Sequence, residues 1–317
     1  MNIAQHVERA ARFFPDKTAI LFEGAQLSYA DLNERATRLA NALKANGLQR
    51  GDRIALYLPN IPQFAVCYLA TLKAGAIAVS INAIFKSEEV KYILNDSGAQ
   101  VLFTVGDLLP NVVGATLAVA PSGQGQALPL QIVVCAGEPQ GNITLDDWLA
   151  QGASEGKALD MEPHEAAVLL YTSGTTGFPK GATLTHGNVI SNMYSTVHHA
   201  GFKPDDRMAL FLPLFHVFGQ NFIMNAAFNA CATLVLHRRF APDAVLDSIQ
   251  RDRITMFFAV PTIYIGLLNM DLSKWDLSSI RYEFSAAATM PQEISRRWTE
   301  RFRRPVYEGY GLTECSP

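Results

Sequence analysis

Charge is scarce in this sequence. Only 17% of its 317 residues are Asp, Glu, Lys or Arg, the formal net charge is −3, and no basic run occurs. That argues against a nucleic acid held by neutralising many phosphates, so any polyanion must be met locally. Cysteine is scarce as well. Cys67, Cys135, Cys231 and Cys315 are widely scattered, with no C-x-x-C pair to suggest zinc and no dense pattern to suggest a disulfide scaffold. Reduced thiols and a cytoplasmic location are expected. No uninterrupted apolar stretch approaches the roughly 18 residues of a membrane span, so no integral membrane segment is expected. The first ten residues carry early charges and no apolar signal core. Internal repeats of solenoid length are absent. His198-His199 lacks a third ligand at useful spacing and reads as a solvated helix end.

Apolar residues are what the chain has in plenty. They make up 49% of it, enough for a large buried core, and the length suits two or more packed units. The pattern alternates short apolar runs with amphipathic stretches. Strands are expected at 17–22, 26–28, 53–58, 76–81, 101–105, 131–135, 166–170, 207–212, 233–237, 256–260, 281–285 and 306–308. Helices are expected at 1–14, 61–74, 86–95, 145–150, 187–200, 222–229, 242–251, 262–268 and 291–302, and one more follows Ser28, whose spacing to Asp31 fits a capping box. Strand, helix, strand, helix is the grammar of doubly wound parallel sheets. Residues 106–130 interrupt it, with Pro121–Pro129 as a flexible connector. A seam in the polar passage at 151–164 suggests a first α/β subdomain over 1–160 and a second over 161–317.

The most informative stretch is Tyr171-Thr-Ser-Gly-Thr-Thr-Gly-Phe-Pro-Lys-Gly181. It follows an apolar strand and leads towards a helix start near Thr185. Glycine lets backbone N–H groups approach a phosphate, hydroxyls donate further hydrogen bonds, and Lys180 adds a compact positive charge. It is not a Walker A motif, which needs four residues between its first glycine and Gly-Lys-Ser/Thr. The plain alternative is a polar surface turn. Its eleven positions nevertheless resemble, almost letter for letter, the signature of the adenylate-forming superfamily, which holds the acyl-CoA synthetases, AMP-dependent ligases and luciferases.

Three further stretches fit the same resemblance. Tyr307-Glu-Gly-Tyr-Gly-Leu-Thr-Glu314 resembles the family's Tyr-Gly-x-Thr-Glu motif. It implies that Tyr310 stacks on adenine, that Thr313 contacts the α-phosphate, and that Glu314 helps hold Mg²⁺. An aromatic face suits a purine and a hard carboxylate oxygen suits Mg²⁺. Ser285-Ala-Ala-Ala-Thr289 stands where the family has Ser-Gly-Gly/Ala-Ala-Pro. A methyl at Ala286 would narrow the neighbouring acyl pocket. Pro213-Leu-Phe-His-Val-Phe-Gly-Gln220 resembles the segment at the mouth of the carboxylate pocket, with His216 gating or orienting the acid. The Phe-His pair, in place of the Phe-Asp of amino-acid-activating relatives, favours a substrate without an α-amine.

The resemblance implies the large N-terminal domain of an acyl-CoA synthetase. The fold would be two doubly wound, mostly parallel sheets packed with helices, with the β-barrel subdomain and the C-terminal domain missing or incomplete. The activity would be ATP- and Mg²⁺-dependent conversion of a small carboxylic acid, medium-chain fatty or aromatic, to an acyl-adenylate and then a thioester, with CoA or an acyl carrier protein as acceptor. Thr172, Ser173, Gly174, Thr175, Thr176, Gly177 and Lys180 would hold phosphates. Ala287, Ala288, Glu308, Gly309, Tyr310, Gly311 and Thr313 would surround the rest of the nucleotide. His216, Phe218, Gly219, Phe222, Val260, Pro261, Ala286 and Gly311 would form the acid pocket, and Lys180, His216, Thr313 and Glu314 would carry the chemistry. Arg238-Arg239 could reach a CoA phosphate, although a solvated strand edge explains them as well. Because the chain stops at Pro317, before the family's catalytic lysine, a truncated form with little full turnover is expected. A luciferase-like oxygenase and a non-catalytic nucleotide-binding domain remain as alternatives.

Overall fold

The computed structural model describes residues 1–116, 130–172 and 179–317. The chain opens with helix α1 (Gln5–Phe13), strands β1 (Thr18–Phe22) and β2 (Ala25–Ser28), and helix α2 (Tyr29–Ala45). Glu23 and Gly24 both take positive φ (49° and 84°) in the two-residue turn between β1 and β2, the conformation a tight antiparallel hairpin requires. The capping box forms as expected: Ser28 Oγ accepts from the Asp31 N–H at 3.0 Å, and the Asp31 carboxylate accepts from the Ser28 N–H at 3.3 Å.

Strand β3 (Arg53–Leu56), α3 (Pro62–Lys73), β4 (Ile77–Ser80), α4 (Ser87–Ser97) and β5 (Val101–Thr104) follow. Next come α5 (Leu109–Thr116), β6 (Gln131–Val134), β7 (Ile143–Thr144), α6 (Leu145–Gln151), β8 (Ala166–Thr172), β9 (Lys180–Thr185) and α7 (His186–His199). The rest is β10 (Arg207–Leu210), a π-helix (Phe218–Asn225) running into α8 (Ala226–Asn229), β11 (Thr233–Leu236), α9 (Pro242–Arg251), β12 (Met256–Ala259), α10 (Pro261–Leu268), β13 (Tyr282–Ser285), α11 (Gln292–Phe302) and β14 (Val306–Glu308). A 3₁₀ turn, Thr313–Cys315, comes last.

Among the described residues the strands form two seven-stranded sheets, in the orders β7-β6-β5-β3-β4-β8-β9 and β14-β13-β12-β10-β11-β1-β2. All pairings are parallel except β8 with β9 and β1 with β2, which put one antiparallel strand on an edge of each sheet. The central strands β5, β11 and β12 are buried at every residue, as helices on both faces demand. Asn60, 5% exposed, stitches the two sheets together. Its amide donates to the carbonyls of Leu212 and His237 (2.9 and 3.3 Å), and its Oδ1 accepts from the Leu214 N–H at 2.9 Å.

Four sequence expectations change. A strand that was not expected, β9, pairs antiparallel with β8 ahead of the helix, while α7 begins at His186 with Thr185 as its cap, where the sequence put it. The boundary expected at residue 160 does not follow the sheets. β1 and β2 belong with β10–β14, whereas β8 and β9 belong with β3–β7. The helix expected over 222–229 begins at Phe218 as a π-helix, a form concentrated at functional sites. Residues 109–116 are helical although the pattern weakens there; the expected connector Pro121–Pro129 lies outside the described residues. No helix among the described residues is long and apolar enough to cross a membrane.

Candidate nucleotide and acid site

Parallel strands carry their binding crevice beyond their carboxyl ends. In the second sheet those ends lie flush, because Ala259 pairs with Ser285 and Ser285 with Glu308. The segments that leave β10, β13 and β14 therefore meet at one edge. Between them lies a cavity of about 230 Å³, lined by His216, Val217, Phe218, Phe222, Phe284, Ala286, Ala287, Gly309, Tyr310, Gly311, Thr313 and Pro317. Among the described residues of that lining there is no Asp, Glu, Lys or Arg.

The expected residues divide accordingly. His216, Phe218, Phe222, Ala286, Ala287, Gly309, Tyr310, Gly311 and Thr313 come together in the cavity wall. Gly219, Val260 and Pro261 do not line it. Gly219 is packed against backbone, where an added Cβ would stand 2.3 Å from the Pro213 carbonyl oxygen. Pro261 is buried as the first residue of α10. Glu308 turns away, accepting from the Met290 N–H at 3.3 Å and facing a hollow on α11. Ala288 is exposed outside the cavity. Ser173, Gly174, Thr175, Thr176 and Gly177 lie outside the described residues.

Thr172 and Lys180 frame that undescribed stretch and face each other across the β8–β9 ladder. Below them the Tyr171 hydroxyl donates to Asp96 Oδ2 at 2.6 Å. Its ring lies so close to Gly181 that a Cβ there would stand 3.2 Å from Tyr171 Cζ. Strand β9 packs against the Thr313–Cys315 turn. The strand that begins with Lys180 and the turn that holds Thr313 and Glu314 are thus neighbours, 130 or so residues apart in sequence. Two asparagines hold the backbone after that turn: Asn192 Nδ2 of α7 donates to the Pro317 carbonyl at 2.5 Å, and Asn221 Nδ2 of the π-helix to the Ser316 carbonyl at 3.5 Å.

His216 stands at the cavity mouth with part of its surface in water. The surrounding protein still desolvates its ring, which lowers its pKa from the usual value. Its Nδ1 accepts from the Phe218 N–H at 3.2 Å, so the neutral ring carries its proton on Nε2. Tyr310 is 90% exposed at the rim, leaving its ring face free. Glu314 is exposed on the turn beside β9. Among the described residues no group of three His, Cys, Asp or Glu could hold a metal by itself. A single carboxylate at an open rim does suit Mg²⁺, which takes one or two carboxylates and completes its shell with phosphate oxygens and water.

Three wall residues were not read as site residues: Val217, Phe284 and Pro317. Val217 lies inside a motif already singled out. Phe284 precedes Ser285 on β13 and looks in sequence like an ordinary buried strand residue. Only the small residues that follow it signal an opening there.

The AMP-binding enzyme family model matches residues 7–317. The chain is 36% identical over 337 aligned positions to the long-chain-fatty-acid–CoA ligase of Bacillus subtilis (strain 168), covering 98% of this chain and 59% of that protein. The structure of the anthranilate CoA ligase AuaEII in complex with anthranoyl-AMP superposes with a TM-score of 0.90 at 29% identity, covering 99% of this chain and 60% of that one. ATP-bound MatB from Rhodopseudomonas palustris gives a TM-score of 0.85 at 31% identity, with the same coverage. The chain spans about three-fifths of the length of these proteins.

Proposed function

The chain belongs to the AMP-binding enzyme family, and on that premise we propose that its site binds Mg·ATP and a carboxylic acid, medium-chain fatty or aromatic, for conversion to an acyl-adenylate and then to a CoA thioester. The observation that carries this reading is the meeting of β9 with the Thr313–Cys315 turn at the rim of an apolar cavity. Lys180 begins that strand, Thr313 and Glu314 sit on that turn, and Thr313 also lines the cavity; this reading gives those groups to the phosphates and their metal, and the cavity to the acyl tail. A cytoplasmic setting suits a site fed by ATP and CoA.

The chemistry asks the protein for position and charge. A carboxylate oxygen forms a bond to the α-phosphorus, the bond from that phosphorus to the bridging oxygen breaks, and pyrophosphate leaves. Mg²⁺, when bound beside Glu314, would offset phosphate charge. Lys180, Thr172 and the hydroxyls of Ser173, Thr175 and Thr176 would hold the β- and γ-phosphates, Thr313 the α-phosphate, and Tyr310 the adenine face. His216, with its proton on Nε2, offers a neutral donor to the acid's carboxylate oxygen. Fixed donors of this kind act where charge develops and need no reorganisation during the step.

Calorimetric titration with ATP tests the reading. Binding should require Mg²⁺, and Lys180→Ala should weaken it about tenfold, the effect of one charged hydrogen bond. Absence of binding both with and without Mg²⁺ would turn the interpretation to a non-catalytic domain.

A further inference from the structure

One ring in the lining of the cavity beside His216 is enclosed by other rings. Phe284 is the penultimate residue of β13, 8% exposed, and lines the cavity. Its ring is held on several sides. It stacks on Phe222 (centroids 5.0 Å apart, planes at 20°) and on Tyr282 (6.2 Å, 14°), and it meets Phe218 at 6.0 Å and Phe258 at 6.1 Å. The ring tip points at the backbone of β14's exit: a Cβ on Gly309 would stand 2.2 Å from Phe284 Cζ. Behind it the Tyr264 hydroxyl donates to the Phe284 carbonyl at 3.1 Å. A ring so enclosed cannot swing aside without opening a void, which close-packed interiors resist.

Resting on the acyl-adenylate reading above, we infer that Phe284 is the stop that sets how long an acyl tail the site accepts. The cavity then takes compact monocarboxylic acids, aromatic or of modest chain length, and excludes long straight chains. Its volume of about 230 Å³ also includes the space under Tyr310 and Thr313, where the adenylate must sit. A second charge on the tail, such as an ω-carboxylate or an ammonium, would find no opposite charge among the described residues of the wall. Phe218 and Phe222 meet edge to face at 5.3 Å and offer ring faces to an aryl tail.

Non-hydrolysable acyl-sulfamoyl-adenosines, from acetyl to dodecanoyl, test the inference without needing turnover. In the native chain, affinity should rise about fourfold per methylene while the tail enters apolar space, then break sharply. Phe284→Leu and Phe284→Ala should move that break to longer tails, read as a rise in the ratio of long-tail to acetyl affinity over that of the native chain. Phe284→Leu keeps an apolar side chain in place, so the test survives if Phe284→Ala fails to fold. A break at the same length in native chain and variants, or no break in the native chain, overturns the stop and leaves the adenylate site standing. Failure of every analogue to bind the native chain, acetyl included, overturns the adenylate reading and the stop with it.

Discussion

Ala287 holds φ at +70°, a left-handed conformation that its Cβ makes unfavourable, and it does so in the cavity wall. The cost for a residue with a Cβ is about 1–2 kcal/mol, and glycine would avoid it. Glycine also gives the unfolded chain more freedom, which takes back about 0.4–1 kcal/mol. Ala287→Gly should therefore raise the denaturation midpoint by the equivalent of about 0.5 kcal/mol. A denaturant titration reads this directly, and a lowered midpoint would mean that the methyl makes packing contacts worth more than its backbone strain. Neighbouring Ala286 has no such conformation to relieve, so Ala286→Gly should lower stability.

At the scale of elements, the turn that presents Thr313 and Glu314 is held from outside itself. Asn192 of α7 and Asn221 of the π-helix donate to the two backbone carbonyls that follow it. Removing Asn192's amide should weaken Mg·ATP binding by about five- to tenfold, the value of one net hydrogen bond. Asn192 is only half-buried, so the melting temperature should fall little. A large fall in melting temperature with affinity intact would assign Asn192 to the scaffold alone. The same elements show what the sequence could reveal. Strands such as Thr233–Leu236 and Met256–Ala259 are continuous apolar runs buried throughout, and such runs are readable without a partner. Strand β9 is Lys-Gly-Ala-Thr-Leu-Thr, polar and largely unburied on a sheet edge. Its strand character comes from pairing with β8, which no local pattern reports. The π-helix escaped for a related reason: its buried amides, Gln220, Asn221 and Asn225, interrupt the apolar stripe that marks a helix. Their partners lie far away in sequence, Ser80 for Gln220 (2.7 Å) and Tyr68 for Asn225 (2.9 Å). At the site, motif letters pointed to the loops after β10, β13 and β14, but the wall residue Phe284 belongs to no motif. Glu308, inside a motif, faces elsewhere.

The whole molecule closes through its first helix. Glu8 of α1 pairs with Lys73 of α3 and accepts from the Ala158 N–H at 2.7 Å. Arg9 reaches Asn229 Oδ1 at 2.8 Å. Two histidines lie on the seam between this N-terminal segment and α7. His6 packs its ring edge to face on Tyr194 at 5.6 Å. His186 is fully buried at the start of α7, its Nδ1 accepting from the Ile3 N–H at 3.3 Å while its Nε2 has no hydrogen-bond partner among the described residues. Desolvation lowers both pKa values to about 4, and Arg9 adds to the effect at His6. In the unfolded chain each would titrate near 6.5. Between these values the unfolded state binds more protons than the folded one, so stability rises with pH across that window and is lost as pH falls through it. Above 6.5 both rings are neutral in either state and contribute no slope. Each ring is worth about 3 kcal/mol over the full window. Glu165, held at about 2 by Arg50, acts only below its ordinary carboxylate range, so its loss comes later in the acid limb. Urea midpoints taken from pH 7 to pH 4 should therefore fall steeply below 6.5, and replacing both histidines with glutamine should flatten that fall. A midpoint unchanged between pH 6.5 and 4.5 in the native chain would show that the seam opens to water and that neither ring is held neutral by burial.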